Sequence, residues 1–190
     1  MEISTFIVLA SLVAIIVYCV VIYNNLVSIK HNVSKSWANI DVLLKQRHDE
    51  LPKLIEVCKQ YMQYEQDTLE KVMKARSAVA SAQQKGDISS VGKAETQLRM
   101  GLGGLFALAK NYPDLKADQS FQHLQQRISG LENAIADRRE FYNEAVNINN
   151  VRIEQFPDVI IANKFKFVTA ALLEFSEEEK QDVDVKALFN

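Results

Sequence analysis

Apolar residues run from Phe6 to Tyr23 with no charge and only Ser11 among them, and beyond Leu26 they thin into a stripe at Leu26, Ile29, Val33, Trp37, Ile40 and Leu44. The first pattern belongs to a helix that is apolar all round; the second, in steps of three and four, is one face of an amphipathic helix. Neither glycine nor proline separates them. One long helix is therefore expected, leaving an apolar medium and becoming the first helix of a polar domain, which it would hold at a fixed angle. Pro52 is the first interruption; it either starts a new helix at its first turn or kinks a continuing one. Leu51, Leu54, Ile55, Cys58, Tyr61, Met62, Leu69, Val72 and Met73 then keep a helical period up to Ala80. Gln84-Lys85-Gly86-Asp87 reads as helix end, turn and the next cap, so the chain is expected to reverse there.

A third helix is predicted from about Ser90 to Lys110, with Val91, Ala94, Leu98, Leu102, Leu105 and Leu108 or Ala109 inward. Gly101, Gly103 and Gly104 interrupt it, each costing about 1 kcal/mol of helix propensity relative to alanine. They call for a reason, either close helix packing or a subunit contact. Tyr112-Pro113-Asp114-Leu115 reads as a turn. A fourth helix, expected to be the longest, carries Phe121, Leu124, Ile128, Leu131, Ile135, Arg138, Tyr142, Ala145, Asn149 and Arg152 at coiled-coil spacing. Asp118 or Ser120 would cap its start and Phe156-Pro157 would close it. The apolar residues after Pro157 either pack along the bundle or touch a membrane. The fold class is all-α: an N-terminal transmembrane helix continuous with an antiparallel bundle of about four long helices. The divisions are 1–26 for the anchor, 27–157 for the bundle and 158–190 for an apolar segment with an acidic tail.

Length supports the membrane reading, since Ile3 to Tyr23 as helix covers roughly 31 Å against a hydrocarbon core of about 30 Å. Phe6, Leu12, Ile16, Tyr18 and Tyr23 stand for this anchor along its length. A cleaved signal peptide would need a basic start and a small-residue cleavage site, whereas Glu2 opens the chain and Tyr23-Asn24-Asn25 follows the apolar run. A lipoprotein modified at Cys19 would need a small residue before it, and Tyr18 stands there. Glu2 is the only charged residue on the N-terminal side, while Lys30, Lys35, Lys45 and Arg47 follow the exit, so the positive-inside rule places the bundle in the cytoplasm and the N-terminus outside. The two cysteines, Cys19 in the span and Cys58 in a helical pattern, give no evident disulfide.

Charge is nearly balanced, with 22 basic and 24 acidic residues and no basic stripe interleaved with aromatics, which argues against nucleic-acid binding. Only the tail from Glu174 is markedly acidic. Chemistry is sparse. None of His31, His48 and His123 has a glutamate three residues before it, as a carboxylate-bridged metal site in a bundle would, and zinc-protease, paired-cysteine and phosphate-loop motifs are absent. No catalytic residue, metal or cofactor is expected, and Cys58 reads as an apolar filler. The notable polar set is Asp41, Glu65, Arg76, Glu132, Arg138, Tyr142, Asn143 and Asn149. At helical spacing its members cannot all reach water on one face. They are expected either to form an internal network that sets helix register or to bind a partner or another copy.

Several short matches fall in one order along the chain: Tyr23-Asn24 and Leu26-Val27, Trp37 with Ile40-Asp41-Val42, Leu51-Pro52 with Leu54, and Glu65 with Ala75-Arg76. They continue with Tyr112-Pro113-Asp114-Leu115-Lys116, Glu132-Asn133 with Ile135, Arg138-Arg139, Tyr142-Asn143, Ala145-Val146 and Phe156-Pro157. In these residues, covering positions 23 to 157, the chain resembles the LemA family of bacterial membrane-anchored helical proteins. It departs from the family pattern at Leu43, Gln46-Arg47, Lys53, Tyr64 and Asn149-Asn150, which alters polarity more than periodicity. The resemblance implies an antiparallel bundle behind an anchor in the bacterial inner membrane, and no defined reaction. The functional expectation is a scaffold whose copies associate on the bilayer into a homo-oligomer. A sensor or adaptor passing a membrane signal to an unidentified soluble partner is the alternative, and an enzyme with an unrecognised site is the third reading.

Overall fold

The computed structural model describes residues 2–174, and of Glu2 only the backbone; the acidic tail lies almost wholly outside them. Six helices form the described chain: α1 (Glu2–Tyr61), α2 (Gln66–Lys85), α3 (Ile88–Ala109), α4 (Pro113–Ala117), α5 (Gln119–Glu154) and α6 (Asp158–Lys164). There is no strand among the described residues. Four helices are long, as the hydrophobic period predicts, and the apolar run does continue unbroken into the amphipathic stripe. At 60 residues α1 is longer than α5 at 36, so the fourth long helix is not the longest.

The first reversal also differs from expectation. Pro52 lies inside α1, and the chain breaks instead at residues 62–65, a stretch without glycine or proline. α2 then runs antiparallel to the last part of α1, with Gln83 opposite Asp41 and Arg76 opposite His48. The reason Pro52 fails to break the helix is visible at His48. A proline cannot donate to the carbonyl four residues earlier, and the freed His48 carbonyl accepts a 2.9 Å hydrogen bond from Arg76 Nε of α2.

The remaining boundaries follow local chemistry. Gly86 takes a left-handed φ of 66° and closes α2 in a Schellman arrangement, its N–H donating to the Gln83 carbonyl and that of Asp87 to Ala82. Asp87 then caps α3 by accepting from the Ser90 amide, and Asp118 caps α5 by accepting from the Phe121 amide. Tyr112-Pro113 makes more than a turn, since Pro113 opens the single-turn α4.

The chain divides into two compact units, and α1 and α5 contribute to both. One holds residues up to 39 together with 140–172; the other holds 40–139 and the described residues from 173. The second unit owns the larger core, in which Leu51, Leu54, Val72, Leu98, Leu102, Leu105, Leu115, Phe121 and Ile128 are shut from solvent. Burying each such side chain contributes roughly 1.5–3 kcal/mol. Leu108 is only half-buried and Ala109 takes the inward position. In the first unit α1 and α5 run antiparallel, Trp37 meeting Tyr142 edge-on and Ile22 and Leu26 packing with Ile153 and Ala162.

Candidate functional site

Polar residues buried in a helical bundle must answer one another, and the second unit shows how. Its α1 stripe, Ile40, Leu44, Leu51 and Leu54, has Arg47 at the position between Leu44 and Leu51, and Arg47 is only 2% exposed. On α3 the stripe Val91, Leu98, Leu102 places Glu95 in the same way, 3% exposed. Arg47 Nη2 pairs with Glu95 Oε1, and Nη1 stands 3.8 Å from Glu132 Oε1 on α5. Three helices are thus tied by one guanidinium. Burial raises the Glu132 carboxyl above its ordinary range, with Glu95 adding to the rise and Arg47 and Arg99 opposing it. Beside this group the buried Glu50 accepts from Arg127 Nε at 3.0 Å and from Lys53 at 3.3 Å.

The eight polar residues singled out from the sequence do not form one network. Glu132 joins the Arg47 group; Asp41 accepts from Gln83, and Arg76 serves the His48 carbonyl. Glu65 sits half-buried at the start of α2, where its carbonyl accepts from the Thr68 and Leu69 amides. Arg138 is exposed on α5 and Asn143 half-buried. Tyr142 and Asn149 belong to the first unit, where with Asn150 they grip the segment after α6. Tyr142 donates to the Ala171 carbonyl at 2.8 Å, and Asn149 to that of Val168 at 3.3 Å. Asn150 accepts from the Ala170 amide and donates to its carbonyl, as a neighbouring strand would. Arg47, Glu50, Glu95 and Asn150 were not among the residues singled out. A charged residue on an otherwise apolar stripe, opposite in sign on two helices, is the signal that marks Arg47 and Glu95.

Gly101, Gly103 and Gly104 of α3 differ in kind. A Cβ on Gly101 would come within 3.3 Å of Val72 on α2, so Gly101 serves close helix packing. At Gly103 and Gly104 a Cβ would meet nothing within 4 Å. Gly104 lines an open groove of about 760 Å³ between α2 and α3, with Ala75, Ala78, Met100 and Leu108. Tight approach occurs instead at Gly92, where a Cβ would overlap the carbonyl oxygen of Glu174. Cys58 is buried in the core, and burial pushes its thiol up to about 12, far from a reactive thiolate.

In the first unit the side chains of α1 from Ile3 to Val21 are almost all exposed, and this is the one helix among the described residues long and apolar enough to cross a membrane. At the end of that run Tyr23 stacks against Phe165 at 4.7 Å and Phe167 at 5.9 Å between ring centroids. Both phenylalanines reach it because α6 ends in the same arrangement as α2, with Lys166 at a φ of 56° where α2 has Gly86. Arg152 holds the start of α6 through a 2.7 Å ion pair with the buried Asp158.

Comparison with known proteins agrees with the sequence resemblance. The chain is 27% identical over 167 residues to Protein LemA of Metamycoplasma hominis, covering 88% of this chain and 75% of that relative. It is 23% identical over 170 residues to Magnetosome protein MamQ 2 of Paramagnetospirillum magneticum and 22% identical to Magnetosome protein MamQ of Magnetospirillum gryphiswaldense, in each case spanning 62% of the relative's length. The LemA family profile matches residues 36–187, most of the second unit and much of the first. By that match, which takes in the helices carrying Arg47, Glu95 and Glu132, the chain belongs to the LemA family.

Proposed function

We propose that this chain is a single-pass, membrane-anchored scaffold without catalytic chemistry, whose copies associate side by side on the bilayer. The observation that carries the reading is the N-terminal part of α1: an uncharged, solvent-facing run from Ile3 to Val21 that continues, within one helix, into the buried Ile22 and Leu26. In water that surface would be unsupported; in hydrocarbon it is at home. The buried charges are spent on tying helices together, and burial silences the Cys58 thiol. Relatives named for the magnetosome are named for no reaction, which agrees with an organising role.

Self-association is supported by α3, where Gly103 and Gly104 leave the helix surface open beside the exposed Met100. Small residues of this kind let a second helix approach closely. The test is the protomer number of the full chain in detergent and in lipid nanodiscs, by light scattering across a range of concentrations. A defined assembly is expected. A monomer at every concentration would overturn the scaffold reading.

A further inference from the structure

The first unit turns back on itself between Tyr142 and Ala171. Tyr142 of α5 lies against Trp37 of α1, and the two helices run antiparallel. Fourteen residues of α1 separate Trp37 from Tyr23, roughly 21 Å, and twelve residues of α5 separate Tyr142 from its last residue Glu154, roughly 18 Å, so both helices descend from the shared contact in the same direction. Phe156 lies two residues past the end of α5, in the turn that leads into α6. After α6 the chain returns beside α5, as the Asn149, Asn150 and Tyr142 hydrogen bonds show. The turn of this hairpin comprises Phe156, α6 and Phe165, with Phe165 against Tyr23 of α1.

Its outward side is apolar. Phe156 is 82% exposed, Ile160 58% and Phe165 56%, while Ile161 and Ala162 on the opposite side of α6 pack on Ile22 and Leu26. Ile160 lies on α6 and Phe156 in the turn just before it, and Lys164 and Lys166 after Ile160 are exposed as well. Phe165 is pinned to Tyr23, the residue at which the exposed apolar surface of α1 ends. The patch is thus continuous with the surface assigned to hydrocarbon. Lys166 occupies a left-handed position that glycine would fill with less strain.

We infer that Phe156, Ile160 and Phe165 form an interfacial foot that dips into the headgroup and upper acyl region of the bilayer, with Lys164 and Lys166 at the phosphates. The occupant of this apolar face is the lipid in which α1 itself is embedded. Aromatic rings with apolar bodies settle at this depth, and lysine stems lie along apolar surface while their charges reach outward. The foot gives the first unit a second point of attachment beside its span, and so fixes its rotation about α1 relative to the membrane plane.

This inference rests on α1 being a membrane span, and the experiment separates the two. Tryptophan is placed singly at Ile160 or at Leu12 in a full-length Trp37→Phe background, and the proteins are reconstituted into phosphatidylcholine–phosphatidylglycerol vesicles. The lipids are brominated either near the headgroup or near the chain ends. Ile160→Trp should emit at shorter wavelength than in water and lose emission most to headgroup-proximal bromine; Leu12→Trp should lose most to deep bromine. Quenching at Leu12→Trp without quenching at Ile160→Trp overturns the foot and leaves the anchor standing. Loss of quenching at both positions overturns the anchor and the foot with it. A blue shift at Ile160→Trp without bromine quenching shows a protein cover in place of lipid and also overturns the proposal. Phe156→Trp repeats the measurement should Ile160→Trp disturb α6.

Discussion

Pro52 leaves the His48 carbonyl without its helical donor, and Arg76 supplies one from another helix. Loss of a partner from a half-buried carbonyl costs about 1–3 kcal/mol, so Arg76→Met should destabilise the full chain by that amount in denaturant unfolding. Pro52→Ala restores the N–H, and in that background Arg76→Met should cost much less. Additive effects in this double-mutant cycle would break the link between the two residues. The buried triad has a different logic. Glu95→Gln leaves the Arg47 guanidinium deep in the core with its Nε already lacking a hydrogen-bond partner, a loss of roughly 3–5 kcal/mol. Glu132 behaves oppositely. Its folded carboxyl is held above the unfolded value, so its contribution is fully present below the unfolded pKa and is lost as pH rises through the folded one. Glu132→Gln should remove that decline, giving a flatter stability profile from acid to neutral pH than the parent chain. A profile unchanged in slope would show that Glu132 is not the group responsible. The polar set read from the sequence omits Arg47 and Glu95, because apolar periodicity marks only what is apolar; it includes Glu132, which meets Arg47 while most of its companions sit elsewhere.

At the scale of elements, helix ends were the most legible feature where a residue type enforces them. Gly86 and Asp87 stop α2 and cap α3 as their chemistry dictates, and Asp118 starts α5. The break at residues 62–65 was not legible, since the apolar period of Leu51 to Met73 passes through it and only the antiparallel packing of α2 on α1 shows it. The same Schellman arrangement occurs twice, once with Gly86 and once with Lys166 at the left-handed position. Exchange makes a clean comparison. Lys166→Gly should stabilise the first unit by about 1 kcal/mol and Gly86→Lys should destabilise the second by about as much, since a left-handed non-glycine residue costs roughly 1–2 kcal/mol. Thermal unfolding in detergent measures both, and a loss of stability in Lys166→Gly would show that the side chain itself holds α6. Gly92 completes the set. A methyl group there displaces the Glu174 backbone, so Gly92→Ala should release Leu173 and Glu174 from α3, read as faster amide exchange at those two residues.

For the whole molecule the proposed anchor raises one decisive question, which side of the bilayer receives the helices that follow it. The charge flanking α1 is lopsided, with Glu2 before the run and Lys30, Lys35, Lys45 and Arg47 after it. Arg47, however, is buried in its ion pair once folded, so under the proposed topology its orienting effect would be exerted on the unfolded chain at insertion, before the triad forms. Burial in the folded state does not weaken the bias. The chain also offers a quiet background for labelling. Cys58 is buried with its thiol raised to about 12, and Cys19 lies within the apolar run, so neither competes with a cysteine introduced at an open position. Tyr64, 93% exposed in the break between α1 and α2, is such a position. Tyr64→Cys in intact cells should resist a membrane-impermeant maleimide and react fully after permeabilisation. A cysteine introduced at Glu2, ahead of the run, should react in intact cells. Reaction of Tyr64→Cys from outside intact cells would invert the topology, and the four basic residues after the span would then have failed against the folding of a large exported unit. Reaction of both from the same side would mean that the apolar run does not cross at all, leaving the exposed side chains of Ile3 to Val21 to be covered by protein.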